Sequence, residues 1–205
     1  MKTIKPSLKS SLAFLLTLFL FGFISVPGFA YNTFSGHVLR GGVGNSGNNT
    51  RYYYLDSSAS GYSMIIDAAV NTWNNTKDNP GVTTPIWFKK TTTKSSSVMD
   101  YYAKNSSDTS VLGETLLYSG SGSNSVKINP NQSNWTWGKV LIYKNSISGM
   151  TTTKKQGVVA HEMGHVMGLA HNNTDPKTIM CQTKYGRSVY RPAKDDCHGI
   201  NYLYK

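Results

Sequence analysis

Hydrophobic and polar positions change period several times along this chain. Tyr62, Ile65, Ile66, Ala69, Val70 and Trp73 recur at spacings of three and four, which makes one apolar stripe of an amphipathic helix. Ser60-Gly61 precede the stripe, and Asn74-Asn75 with Asn79-Pro80-Gly81 end it. Shorter runs rich in aromatic and β-branched residues predict strands. These are Arg51 to Asp56, Ile86-Trp87-Phe88, Ser97 to Ala103, Leu112 to Tyr118, Ser125 to Ile128, and Val140-Leu141-Ile142-Tyr143. A long helix is expected from Thr152 to Gly168, capped by Thr151, Thr152 or Thr153. A last helix is expected from Asp195 to Tyr204, with Asp195 and Asp196 where a helix dipole favours negative charge. Residues 31–50 are rich in Gly and Asn and predict an irregular lead-in. The order strand, helix, several strands, helix, loop, helix gives an α+β layout with helices covering a sheet.

The amino terminus adds a destination. Lys2, Lys5 and Lys9 precede an apolar run from Leu12 to Val26, and Gly28-Phe29-Ala30 offers the small residues of a cleavage site. This predicts a signal peptide over residues 1–30 and a secreted chain over 31–205. A retained anchor fits less well, because the run is shorter than the roughly 20 residues of a spanning helix and ends in Pro27-Gly28. No stable membrane insertion is expected after cleavage. The chain of 205 residues suits one domain, and a monomer is expected. Its net charge is +11, and removing residues 1–30 takes away three Lys and no acid, leaving +8. The basic residues are scattered, with pairs only at Lys89-Lys90 and Lys154-Lys155. No nucleic-acid-binding signature accompanies them, so no nucleic-acid partner is expected. Cys181 and Cys197 are the two cysteines. In an exported protein they suggest a disulfide closing a loop of about 15 residues. Two buried thiols are the alternative.

The chemistry concentrates between Val158 and His171. His161 and His165 lie four residues apart, so on a helix their imidazoles share one face, one turn apart. Two such nitrogens can meet one Zn2+. Glu162 follows the first histidine, close enough to hold a metal-bound water without being a ligand. A straight helix would carry His171 away, since ten residues rise about 15 Å. Gly168 can take the positive φ that ends a helix and returns the chain toward the metal. Three histidine ligands leave a fourth position open, which marks a catalytic rather than a structural zinc. Hydrolysis of a peptide bond then follows, with Glu162 as general base for the attacking water. A helix that merely buries three histidines and a glutamate would pay for their desolvation without return.

His161-Glu162-x-x-His165-x-x-Gly168-x-x-His171 resembles the metzincin zinc signature, and Thr178-Ile179-Met180 resembles the methionine turn beneath its metal. Asp195-Asp196-Cys197-His198-Gly199-Ile200-Asn201-Tyr202-Leu203-Tyr204 is similar to the C-terminal helix of matrixin catalytic domains. The resemblance implies a secreted zinc endopeptidase with a twisted, mixed five-stranded sheet, two long helices and a C-terminal helix. It implies His161, His165 and His171 as ligands, Glu162 as catalytic base and Met180 as packing under the histidines. It also implies protein or peptide substrates laid along Leu112 to Tyr118 as an edge strand. The family fold brings Cys181 and Cys197 near each other, which favours the disulfide.

This chain departs from the pattern in several places. Residues 31–50 hold no cysteine to latch the zinc, and His37 is the one upstream histidine, so no second zinc is expected. Calcium occurs in the family, but no acidic calcium loop supports it here. Where the family has a Pro-x-Tyr pocket wall, this chain has Cys181-Gln182-Thr183-Lys184-Tyr185, with Tyr185 or Tyr190 as substitutes. Two other readings share the motif: a processing peptidase of narrow specificity, and a zinc-containing binding protein with a dead site. Glu162 argues against the second.

Overall fold

The stripe from Tyr62 to Trp73 lies in helix α1 (Ser63–Asn74) of the computed structural model, which describes residues 31–205. Ile65, Ile66, Ala69, Val70 and Trp73 are its buried side chains. Each larger one contributes about 1.5–3 kcal/mol by leaving water, and together they fix which face turns inward. The expected signal peptide, residues 1–30, lies outside the described residues.

Six strands form one mixed sheet: β1 (Arg51–Leu55), β2 (Phe88–Thr91), β3 (Met99–Lys104), β4 (Gly113–Ser119), β5 (Val126–Lys127) and β6 (Trp137–Tyr143), in the order β2-β1-β3-β6-β4-β5. β1 runs parallel to β2 and β3, and β3 to β6, whereas β4 is antiparallel to both β6 and β5. The expected five-stranded sheet is therefore corrected to six. The extra strand, β5, has two exposed residues paired with Tyr118 and Ser119. It is held by its ladder and not by burial.

Two strands also shift. Ile86-Trp87 lies just before β2: Trp87 donates its N–H to Val43 O in the lead-in, and its carbonyl accepts from Arg51 N at the start of β1. β6 starts earlier than Val140, since Gly138 and Lys139 pair with Met99 and Asp100 on one side and with Leu117 and Leu116 on the other.

Helix α2 (Lys144–Ile147) is one turn, α3 (Thr152–Val166) is the long zinc-motif helix, and α4 (Lys194–Tyr204) closes the chain. Thr151 caps α3, its hydroxyl accepting from Lys154 N at 3.3 Å. Every residue of α3 from Gly157 to Val166 is buried. The helix lies between α1 on one side and β4 and β6 on the other. Trp73 donates its indole N–H to Ala160 O at 3.0 Å, and Trp135 donates to Val166 O at 2.8 Å. Both bonds satisfy polar ends of large side chains that are otherwise sealed in the core.

The lead-in is irregular, as expected, yet it is packed. Leu39 and Val43 are buried, and the Tyr204 hydroxyl links Leu39 N to Met167 O. Among the described residues no helix is long and apolar enough to cross a membrane.

Candidate metal centre

The three motif histidines converge. His161 and His165 sit one turn apart on α3. Beyond its end Gly168 has φ +102°, a backbone conformation open to glycine, and a Cβ there would also press on Leu203 and His37 O. The returning chain is pinned by the lead-in. Leu169 bridges to Thr33, Ala170 N donates to Asn32 O, and Asn32 Nδ2 donates to His171 O at 2.8 Å. His171 therefore comes back to the helix. One nitrogen from each histidine lies within 4.8 Å of the others, and the Nε2 atoms of His165 and His171 are 3.0 Å apart.

The outer nitrogens are already committed. His161 Nδ1 lies 2.7 Å from Ile179 O, and His165 Nδ1 lies 2.7 Å from Leu169 O. A carbonyl accepts only, so each Nδ1 carries the proton and each Nε2 keeps its lone pair. Burial holds these rings neutral. It pulls the His161 pKa well down, with the neighbouring His165 adding to it, and pulls His165 down to about 3 with help from His171. His171 is lowered by burial and by Lys184. Three neutral imidazoles with lone pairs aimed at one point, and no carboxylate among them, are a donor set that fits zinc.

The loop beneath is held from α4. Ile179 N and Met180 N donate to the Asp196 carboxylate at 2.9 and 3.3 Å, and Ala193 N donates at 2.8 Å. Burial pushes the Asp196 carboxyl up to about 7, against these three bonds, which favour its charged form. Met180 is buried and packs under α3 at Gly164, where any Cβ would collide with its sulfur. Asn172 N donates to Met180 O at 3.0 Å, joining the His171 loop to the methionine turn.

The expected Cys181–Cys197 disulfide is absent: both are buried free thiols. Cys181 Sγ turns along its own loop, 3.5 Å from Gln182 O and 3.8 Å from Tyr185 O. Burial raises both thiols above their ordinary pKa.

Glu162 lies at the floor of a cleft of about 540 Å³ that the histidines also line. Its carboxyl is buried, and burial raises it to about 7 while Thr115 opposes the rise. The Thr115 hydroxyl is 2.8 Å from Glu162 Oε2 and 2.9 Å from Glu162 O. Oε1 has no hydrogen-bond partner among the described residues and remains for a proton. A Cβ at Gly113 would meet Glu162 Cγ at 3.1 Å and Oε1 at 3.2 Å, so the glycine leaves room for the carboxyl.

β4 walls the cleft. Leu112 O accepts from Tyr143 N, and the one-to-one register with β6 then puts the backbone groups of Gly113 and Thr115 on the opposite side. β5 pairs with Tyr118 and Ser119, and Ile128 N just beyond it donates to Leu117 O at 2.9 Å. The expected edge is thus open over its first half. The facing wall is Gln182, Thr183, Lys184 and Arg187. Tyr185 and Tyr190, expected as wall substitutes, point elsewhere: both are exposed and neither lines the cleft.

What four residues do at the site did not show in sequence. Gly113 and Thr115 lie on the expected substrate edge, but their closeness to Glu162 comes only with the fold, and nothing in the local pattern of Arg187 announces a site. Asp196 had a visible acidic pair, but its partners on the methionine turn did not show.

The family model for matrixins, a family of peptidases, matches residues 51–205. Among solved structures, one titled "GM1 bound form of the ECX AB5 holotoxin" is similar at 14% identity and a TM-score of 0.53, covering 86% of this chain and 89% of that one. That likeness concerns the fold alone.

Proposed function

The chain belongs to the matrixin family of peptidases, and from that premise we propose that it is a secreted zinc-dependent endopeptidase with Glu162 as general base. The observation that carries this is the meeting of three histidine nitrogens with the Glu162 carboxyl on the floor of a cleft beside an open strand edge. His161, His165 and His171 would hold the zinc. When bound there, zinc supplies Lewis acidity toward water and toward the carbonyl of the scissile bond.

The remaining work falls to the chain. An extended peptide can add to β4 antiparallel, bonding to the outward backbone groups of Gly113 and Thr115. That addition would lay the scissile bond across Glu162 and exclude water from the cleft. Glu162 takes a proton from the attacking water at Oε1, because Thr115 occupies Oε2. It then returns the proton to the leaving amine as the C–N bond breaks. Burial, which raises its pKa, makes it a stronger base than an exposed carboxylate.

A chelator-sensitive assay tests this function. The purified protein should cleave casein or gelatin, lose that activity to a zinc chelator and regain it on adding zinc. Protein that binds zinc and cleaves nothing would instead support the binding-protein reading.

A further inference from the structure

Arg187 is a partly buried cation on the wall of the cleft with no Asp or Glu in ion-pair contact; the Glu162 and Asp196 carboxylates act on it only through space. Its guanidinium donates to Ile179 O at 3.2 Å, to Cys181 O at 3.4 Å and to Thr183 Oγ1 at 3.1 Å. These bonds fasten the loop that carries the methionine turn. They use three of the five guanidinium N–H donors and neutralise none of its charge. Among the described residues the ion pair present is Lys90–Asp67, remote from the cleft, and no Asp or Glu pairs with Arg187. Burial already lowers the Arg187 pKa, which marks the cost of keeping this charge out of water.

The carboxylates of the cleft, Glu162 and Glu114, bond to the Thr115 and Tyr143 hydroxyls and make no contact pair with Arg187, though Glu162 attracts it through space. Lys184 and Lys127 add two further positive charges to the lining. Arg187 also sits one hydrogen bond from the centre, because Ile179 O receives both its guanidinium and His161 Nδ1. Val158, one turn before His161 on α3, lines the same cleft. A side chain entering there would thus belong to a residue flanking the scissile bond. Its stem would meet Val158 and its end would meet the two unused donors of Arg187. A planar fork of N–H groups matches a carboxylate best.

We propose that Arg187 determines specificity, and that the substrates carry Asp or Glu beside the scissile bond, its carboxylate paired with Arg187. This rests on the endopeptidase function above. A neutral isostere there leaves the partly buried cation without a carboxylate in contact, and a site discriminates against a partner that leaves its polar groups unpaired.

The test uses acetylated, amidated peptide libraries, so that only side-chain carboxylates contribute. The zinc-loaded wild-type enzyme should enrich Asp or Glu at one position flanking the cleaved bond. Matched peptides with Glu or Gln at that position should differ by about tenfold or more in kcat/KM. In R187Q that gap should shrink to within about threefold, chiefly by loss of the Glu peptide. Cleavage without acidic enrichment, or a gap that survives R187Q, overturns the inference while leaving the endopeptidase function standing. If R187Q does not fold, the Glu/Gln comparison in the wild-type enzyme decides alone. Failure to cut any peptide overturns the endopeptidase function, and this inference with it.

Discussion

Glu162 and Thr115 are 47 residues apart in sequence and joined by a hydroxyl 2.8 Å from the carboxyl. The bond holds Oε2, and among the described residues Oε1 has no hydrogen-bond partner. Thr115→Val keeps the shape and removes the hydroxyl. A hydrogen bond to a charged group contributes about 1.5–3 kcal/mol, so kcat/KM should fall about tenfold or more with zinc content unchanged. Thr115→Ser, which restores the hydroxyl, should recover most of the loss. Equal activity in the valine variant would show that Thr115 does not position Glu162. His161 and His165 are settled at the same scale, since their outer nitrogens are committed to Ile179 O and Leu169 O.

At the scale of elements, the centre joins α3, the returning loop, the methionine turn and α4. Gly164 shows how close they are. A glycine inside a helix costs about 1 kcal/mol relative to alanine, so Gly164→Ala should stabilise α3 taken alone. Its Cβ would overlap the Met180 sulfur, however, and overpacking costs about 1–3 kcal/mol. The packing cost wins where Met180 cannot move, because Asp196 holds its backbone. Gly164→Ala should therefore lower the melting temperature of the zinc-free protein; a rise would show that the turn is free to yield. Much of this scale was legible in advance. The stripe of α1, the strands from Ser97 and Leu112, and the return at Gly168 follow from period and residue type. Ile86-Trp87 falls just before the strand because the Trp87 N–H is taken by Val43 in the lead-in, and no local pattern records that. The disulfide misled because cysteine spacing says nothing of where Cys181 Sγ turns. Thr115, Arg187 and Asp196 act on residues far away in sequence, and only the fold joins them.

Across the whole molecule, the sheet provides an edge and the helices provide a floor. β4 reverses against β6 and is left open over Gly113 to Leu116, while the loop from Gln182 to Arg187 faces it. Between them lie the histidines and Glu162. The lead-in, read from sequence as irregular, completes this arrangement by clamping Leu169 and His171 from Asn32 and Thr33. A cleft of this form suits an extended peptide better than a compact ligand. The central claim is that this geometry hydrolyses peptide bonds with Glu162 as the base. Casein hydrolysis by wild type and Glu162→Ala, compared at equal zinc content, tests it most directly. Equal zinc and a loss of turnover of about a hundredfold or more in the variant are expected. Substantial hydrolysis by a clean Glu162→Ala preparation would contradict it.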